Sequence, residues 1–211
     1  MVLIGAMCCL GTSAVSAEDL RITAPDGGAF VSVAAAGVLP FSVHTTSPTL
    51  SPARIRTNVG GELAGALGYR YRELYLEAQL SYSRFGAADI RFAEGGGVLS
   101  GAFDQWGLMA RGVFDIPLHA WLEPHLGGGL GGVRFRAREI TLPDFPPTVG
   151  ANTLLAYQFL AGVSLPTDRW RLSLSYRIMG MGAQDYETGD AELRGDPVRT
   201  HSLQLATQVF F

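Results

Sequence analysis

Residues 74–85 read LYLEAQLSYSRF, and the stretch alternates strictly between apolar and polar side chains. Leu74, Leu76, Ala78, Leu80 and Tyr82 share one phase, and Tyr75, Glu77, Gln79, Ser81 and Ser83 share the other. A period of two places each set on its own side of a β-strand and scatters both sets around a helix. The pattern returns in VGGELAGALGYRY at 59–71, LLAYQFLAGVSL at 154–165 and WRLSLSYRIM at 170–179. Eight such segments are expected, over 28–38, 58–71, 74–85, 104–115, 120–134, 153–165, 170–180 and 200–211. No segment after the N-terminus has the roughly 18 consecutive apolar residues that a membrane-spanning helix needs.

The connections between these segments alternate in length. Short ones fall near Arg72-Glu73, at 116–119 and at 166–169; long ones occupy 39–57, 86–103, 135–152 and 181–199. The long ones are rich in Gly, Pro, Thr and Asp and are expected to be loops. Eight strands joined alternately by long and short connections form an up-and-down series of hairpins. An even strand number, short turns on one side and long loops on the other are the layout of an outer-membrane β-barrel. The predicted fold is therefore all-β: an eight-stranded antiparallel transmembrane barrel, with short periplasmic turns and long extracellular loops.

A soluble eight-stranded barrel would instead turn its apolar side chains inward. Composition separates the two. Charged residues are 17% of the chain, against about 25% in soluble domains, and the polar phases are mostly Ser, Gln and Gly, too sparse in charge for a water-facing wall. The apolar phases carry Tyr69, Tyr71, Trp106, Trp121, Trp170 and Tyr176 near strand ends, which suits aromatic girdles at the membrane interfaces. The apolar phase is assigned to lipid and the polar phase to the lumen.

The inward set then contains Glu62, Arg70, Glu77, Arg111, Asp115, Glu123, His125, Arg171 and Arg177. Isolated buried charges are costly, so these are expected to pair into a lumenal network that seals the barrel. Counting from the short turns puts Glu77, Arg111 and Glu123 at similar depth, with Arg177 and Glu62 higher. The run PHLGGGLGGVRF at 124–135 has the look of a dinucleotide fingerprint, but Gly127 to Gly132 lie inside a strand pattern and no helix follows. Its glycines are read as room for large inward neighbours.

The chain ends in HSLQLATQVFF, with Leu203, Leu205, Thr207, Val209 and Phe211 on one face. That strand is expected to pair with 28–38 and close the barrel, leaving no edge. Residues 1–17 are read as an export signal cleaved after Ala17, with small residues at Val15 and Ala17; no Lys or Arg precedes Arg21. Residues 18–27 form a short periplasmic segment and 28–211 the barrel. The adjacent Cys8 and Cys9 are the only cysteines, so the barrel has no disulfide or Cys-based metal site.

The hairpins AYQFLAGVSLPTDRWRLSLSYRIMG and ALGYRYRELYLEAQLSYSRF, with WGLMARGVFDI and EPHLGGGLGG, resemble the opacity-protein/OmpA-type surface antigens of the outer membrane. The resemblance covers roughly 28–211, strongly in the hairpins and not in the loops. It implies a non-catalytic barrel serving adhesion, envelope integrity or porin-like passage, with Glu77, Arg111 and Arg177 at the family's inward polar positions. It also implies that Phe211 ends the signal read by the barrel-assembly machinery. No peptidoglycan-binding domain is expected with this barrel, in contrast to members of the family that anchor to the cell wall.

The expected partners are outer-membrane lipid and lipopolysaccharide, the assembly machinery, and an extracellular ligand or host surface met by the loops. Phe41 to Val43 and Ile140 to Phe145 supply apolar loop residues for such contacts. A net charge of −3 without a basic block excludes nucleic acid as a partner. No cofactor or metal is expected. The alternatives are a lipid A-modifying enzyme and a low-conductance channel. His201 and Ser202 would be the enzyme's candidates, but strand neighbours point to opposite faces. His125 with Glu123 would be a metal candidate, and an ion pair between them is the simpler expectation.

Overall fold

A strand in hydrocarbon must pair along both edges, because no water is present to meet its free backbone groups. The computed structural model meets that demand by closure. It describes residues 27–39, 42–46, 53–92, 95–98, 100–118, 121–141, 148–167, 169–182, 184–188 and 191–211. Among them the strands are β1 (Gly27–Val38), β2 (Ser42–Thr46), β3 (Ala53–Thr57), β4 (Gly60–Tyr71), β5 (Leu74–Phe92), β6 (Gly95–Val98) and β7 (Ser100–Asp115). They continue as β8 (Glu123–Thr141), β9 (Thr148–Pro166), β10 (Trp170–Met181), β11 (Gln184–Thr188), β12 (Ala191–Gly195) and β13 (Val198–Phe210).

Eight of these make the barrel. The order is β1, β4, β5, β7, β8, β9, β10, β13, each antiparallel to the next, and β13 returns to β1 with Phe30 opposite Phe210 and Val38 opposite Ser202. The eight segments expected from alternation are these eight strands. Phe211 continues the closure, its N–H donating to the Ala29 carbonyl at 3.0 Å. The turn between β4 and β5 is only Arg72-Glu73, and Arg72 takes a left-handed φ of 54°. Its carbonyl accepts a 2.7 Å hydrogen bond from Arg70 Nε.

The long connections differ from the expected loops. β5, β8 and β9 run on past the expected segments, and β2, β3, β6, β11 and β12 continue the sheet above the barrel through pairings with β5 and one another. Beyond the bilayer both faces of a strand meet water. Backbone pairing persists there without the side-chain alternation that marks a strand in sequence.

The faces are oriented as expected. Leu63, Leu67, Leu76, Leu80, Leu108, Leu130, Leu155, Leu203 and Leu205 are exposed, each at 51% or more, whereas Glu62, Glu77, Gln79, Arg111, Gln158 and Arg177 are all below 8%. Soluble monomers rarely expose a contiguous apolar surface above roughly a few hundred Å²; here the exposed apolar surface rings the whole barrel. Tyr69, Tyr71, Phe114, Trp121, Trp170 and Phe211 gird the turn end, and Trp106, Tyr157 and Tyr176 lie towards the loops, all exposed. This is the exterior of a membrane-spanning barrel. Ala17 and the 1–17 signal lie outside the described residues, as do Pro40-Phe41, 142–147 and the side chains of His44 and Ile140.

Candidate functional site

With the polar phase turned inward, the lumen holds the molecule's charge. Glu77 and Arg111 are direct cross-strand partners on β5 and β7, and Arg111 Nη2 meets Glu77 Oε1 at 2.5 Å. Arg177 on β10 reaches across the barrel to Glu62 on β4, Nη2 to Oε2 at 2.7 Å, and donates through Nε to Ser202 Oγ at 3.0 Å. Arg171 pairs with Asp115 and donates to Gln208 Oε1 at 3.1 Å. All six charged side chains in these three pairs are at most 6% exposed.

The other expected members of the network are placed differently. Arg70 lies over the rings of Tyr75 and Phe210, at 5.2 and 5.9 Å from their centroids. Glu123 is half-buried as the first residue of β8, opposite Ser164, while Gly129 stands opposite Arg111. Glu123 therefore sits at the turn end of β8, six residues along the strand from the position opposite Arg111. Strand tilt and stagger decide depth in a barrel, and counting along one chain segment misses them. His125 does not pair with Glu123. Its Nε2 and Nδ1 each hydrogen-bond a serine hydroxyl, Ser175 and Ser164, both at 2.8 Å. Among the described residues no group of three metal-ligating side chains converges.

The glycines of β8 make the network fit. Gly127, Gly129 and Gly131 face inward opposite Val113, Arg111 and Met109. A Cβ on Gly129 would lie 2.9 Å from Arg111 Cγ, and one on Gly131 2.7 Å from Met109 Sδ. A side chain at either position would displace the residue that fills the lumen, which is the role read from the sequence.

Aromatic layers, missed by the sequence reading, lie at both ends of the lumen. Phe30, Tyr75 and Phe210 pack edge-on or tilted at 5.7–6.3 Å towards the turns, with Arg171 4.4 Å over Tyr75. Phe85, Phe103 and Phe135 pack at 5.2–5.8 Å towards the loops. Their signal was present: each falls in the inward phase of its strand. Between the layers, a cavity of about 20 Å³ lies among Glu77, Arg111, His125 and Arg171. That is room for about one water molecule.

His201 and Ser202 lie on opposite sides of the wall. Ser202 is buried in the lumen on Arg177, and His201 Nδ1 shares a 2.7 Å hydrogen bond with Tyr176 OH outside.

No protein-family model and no curated protein matches the sequence. Solved structures do match. Neisserial surface protein A is 19% identical, with a TM-score of 0.52 over 87% of this chain and 99% of its own. The outer membrane protein OprG from Pseudomonas aeruginosa is 12% identical, with a TM-score of 0.63 over 87% of this chain and 96% of its own. The likeness is one of fold, and the fold is the one the hairpin resemblance implied. Closed pairing, apolar exterior and polar lumen are together those of an eight-stranded outer-membrane barrel.

Proposed function

We propose that this outer-membrane barrel is non-catalytic, that its lumen is a structural seal, and that its outer loops serve surface interaction or envelope integrity. The observation that carries the reading is the filled lumen: three buried ion pairs and two aromatic clusters occupy it, and a cavity of only about 20 Å³ lies among Glu77, Arg111, His125 and Arg171. A hydrated ion does not pass such a stack unless side chains leave it. The separation of His201 from Ser202 by the barrel wall argues against a hydrolase built on that pair. Residues 1–17, cut after Ala17, would direct export, and the β13 strand ending in Phe211 would address the chain to the assembly machinery.

In planar bilayers the purified protein is expected to give no stepwise conductance at neutral pH in molar salt. Reproducible unitary steps from folded, heat-modifiable protein would overturn the sealed-lumen reading and favour the channel.

A further inference from the structure

The outer wall near the loops carries charge where the rest of the belt is apolar. Going up β5 the exposed residues run Leu76, Leu80 and Arg84, with half-buried Tyr82 between the last two; going up β8 they run Leu126, Leu130, Arg134 and Arg136. The strand between them, β7, sets Trp106 between Tyr82 and Arg134, and Asp104 between Arg84 and Arg136, by direct cross-strand pairing. Directly paired residues share a face. Two rows result: an aromatic one, with the Tyr82 and Trp106 rings 4.8 Å apart, and above it a charged one.

Asp104 braces the charged row. Its Oδ1 accepts from Tyr82 OH at 2.9 Å and lies 3.8 Å from Arg84 Nε, while the Arg84 side chain remains 61% exposed. Three arginines against one carboxylate leave this patch with a net charge of +2. The order from leucine through aromatic to arginine follows the bilayer from hydrocarbon through interface to headgroup. Cations placed there meet lipid phosphate, and guanidinium binds phosphate bidentately.

A second feature lies beside the patch. Where β10 ends at Met181, a notch of about 300 Å³ opens in the wall, lined by Leu130, Leu155, Tyr157, Met181, Val198 and Arg199. Leu155 stands opposite Gly132, two residues from Arg134, which is about 8 Å at ordinary strand spacings. The notch is almost wholly apolar and its outer rim faces lipid.

We propose that the patch and notch form one site for an outer-leaflet glycolipid bearing phosphomonoesters, with the phosphate on Arg84, Arg134 and Arg136 and an acyl chain in the notch. A phosphomonoester carries about −1.5 to −2 charge at neutral pH, matching the patch, whereas a phospholipid phosphodiester carries only one. The inference rests on the outer-membrane reading above and gives the glycolipid expected around such a barrel a specific site.

The test uses the full barrel refolded in neutral detergent, with quenching or shift of Trp fluorescence read against added bis-phosphorylated lipid A, dephosphorylated lipid A, phosphatidylglycerol and inorganic phosphate. Bis-phosphorylated lipid A is expected to bind at least about 10-fold tighter than each of the others. The triple variant Arg84→Ala, Arg134→Ala, Arg136→Ala is expected to lose about 100-fold, at roughly fivefold per arginine near a membrane surface. Arg72→Ala, at the turn end, is expected to bind as the parent does. Heat-modifiable gel mobility, run on every variant, reports barrel folding separately. Equal binding of phosphatidylglycerol, equal binding of dephosphorylated lipid A, or a folded triple variant within twofold of the parent overturns the site while leaving the barrel reading intact.

Discussion

Glu77→Ala is expected to be among the most damaging single substitutions in this protein, lowering the stability of the folded barrel by about 3–5 kcal/mol. Glu77 and Arg111 face one another across β5 and β7 at 2.5 Å, both side chains at most 6% exposed. Removing the carboxylate leaves a buried guanidinium without its direct counter-charge, with room for only about one water molecule beside it. The penalty is the cost of that stranded charge, larger than the net worth of the pair itself. Two further variants separate these quantities. Arg111→Ala is expected to destabilise comparably, by stranding Glu77. The double variant Glu77→Leu, Arg111→Met is expected to recover most of the loss, because it removes both charges and keeps the volume that Gly129 accommodates. Urea titration of folded against unfolded protein in vesicles, followed by gel mobility, measures all three. If the double variant is as unstable as Glu77→Ala, the attraction within the pair itself, and not the stranding of one charge, holds this level of the lumen together.

Leu80→Arg probes the opposite face. Leu80 is 53% exposed in the middle of the bilayer-facing part of β5, opposite Gly65 and Leu108. A cation at that depth on the lipid face is expected to cost about 2–4 kcal/mol. On the surface of a soluble protein the same change would fall within about 0.5 kcal/mol of neutral. Ser81, the next residue, is 8% exposed and faces the lumen, so Ser81→Ala is expected to change stability far less than Leu80→Arg. The contrast between neighbours reports which way the strand faces. Equal, small effects at both positions would contradict an apolar exterior in contact with acyl chains.

The parts of this molecule that could be read from sequence are those where one physical rule acts alone. In LYLEAQLSYSRF the bilayer imposes alternation, and each of its residues faces the side that its parity assigned. β13 was readable for the same reason: Leu203, Leu205 and Val209 are exposed in one phase, as a strand facing hydrocarbon requires. Depth was harder. Glu123 was matched to Glu77 by counting from turns, yet β8 places Gly129 opposite Arg111, because stagger is a property of the closed sheet and of no single segment.

Extensions such as β5 to Phe92 and β8 to Thr141 were invisible, since backbone pairing outside the membrane leaves no periodic trace. The aromatic layers were missed because Phe30, Phe85, Phe103, Phe135 and Phe210 occupy the inward phase, where polar residues were sought. Asp104 is the converse case, a carboxylate in the outward phase that is 3% exposed between arginine-bearing strands.

The orientation of the wall is the claim on which the rest depends, and Trp106 and Trp170 report it directly, since both are exposed in the outward phase of their strands. The measurement is their fluorescence in vesicles of lipids brominated along the acyl chain, on protein verified as folded by gel mobility. Strong quenching is expected, because the barrel presents these rings to lipid. Folded protein whose tryptophans are untouched by brominated chains, yet quenched by aqueous acrylamide, would contradict it.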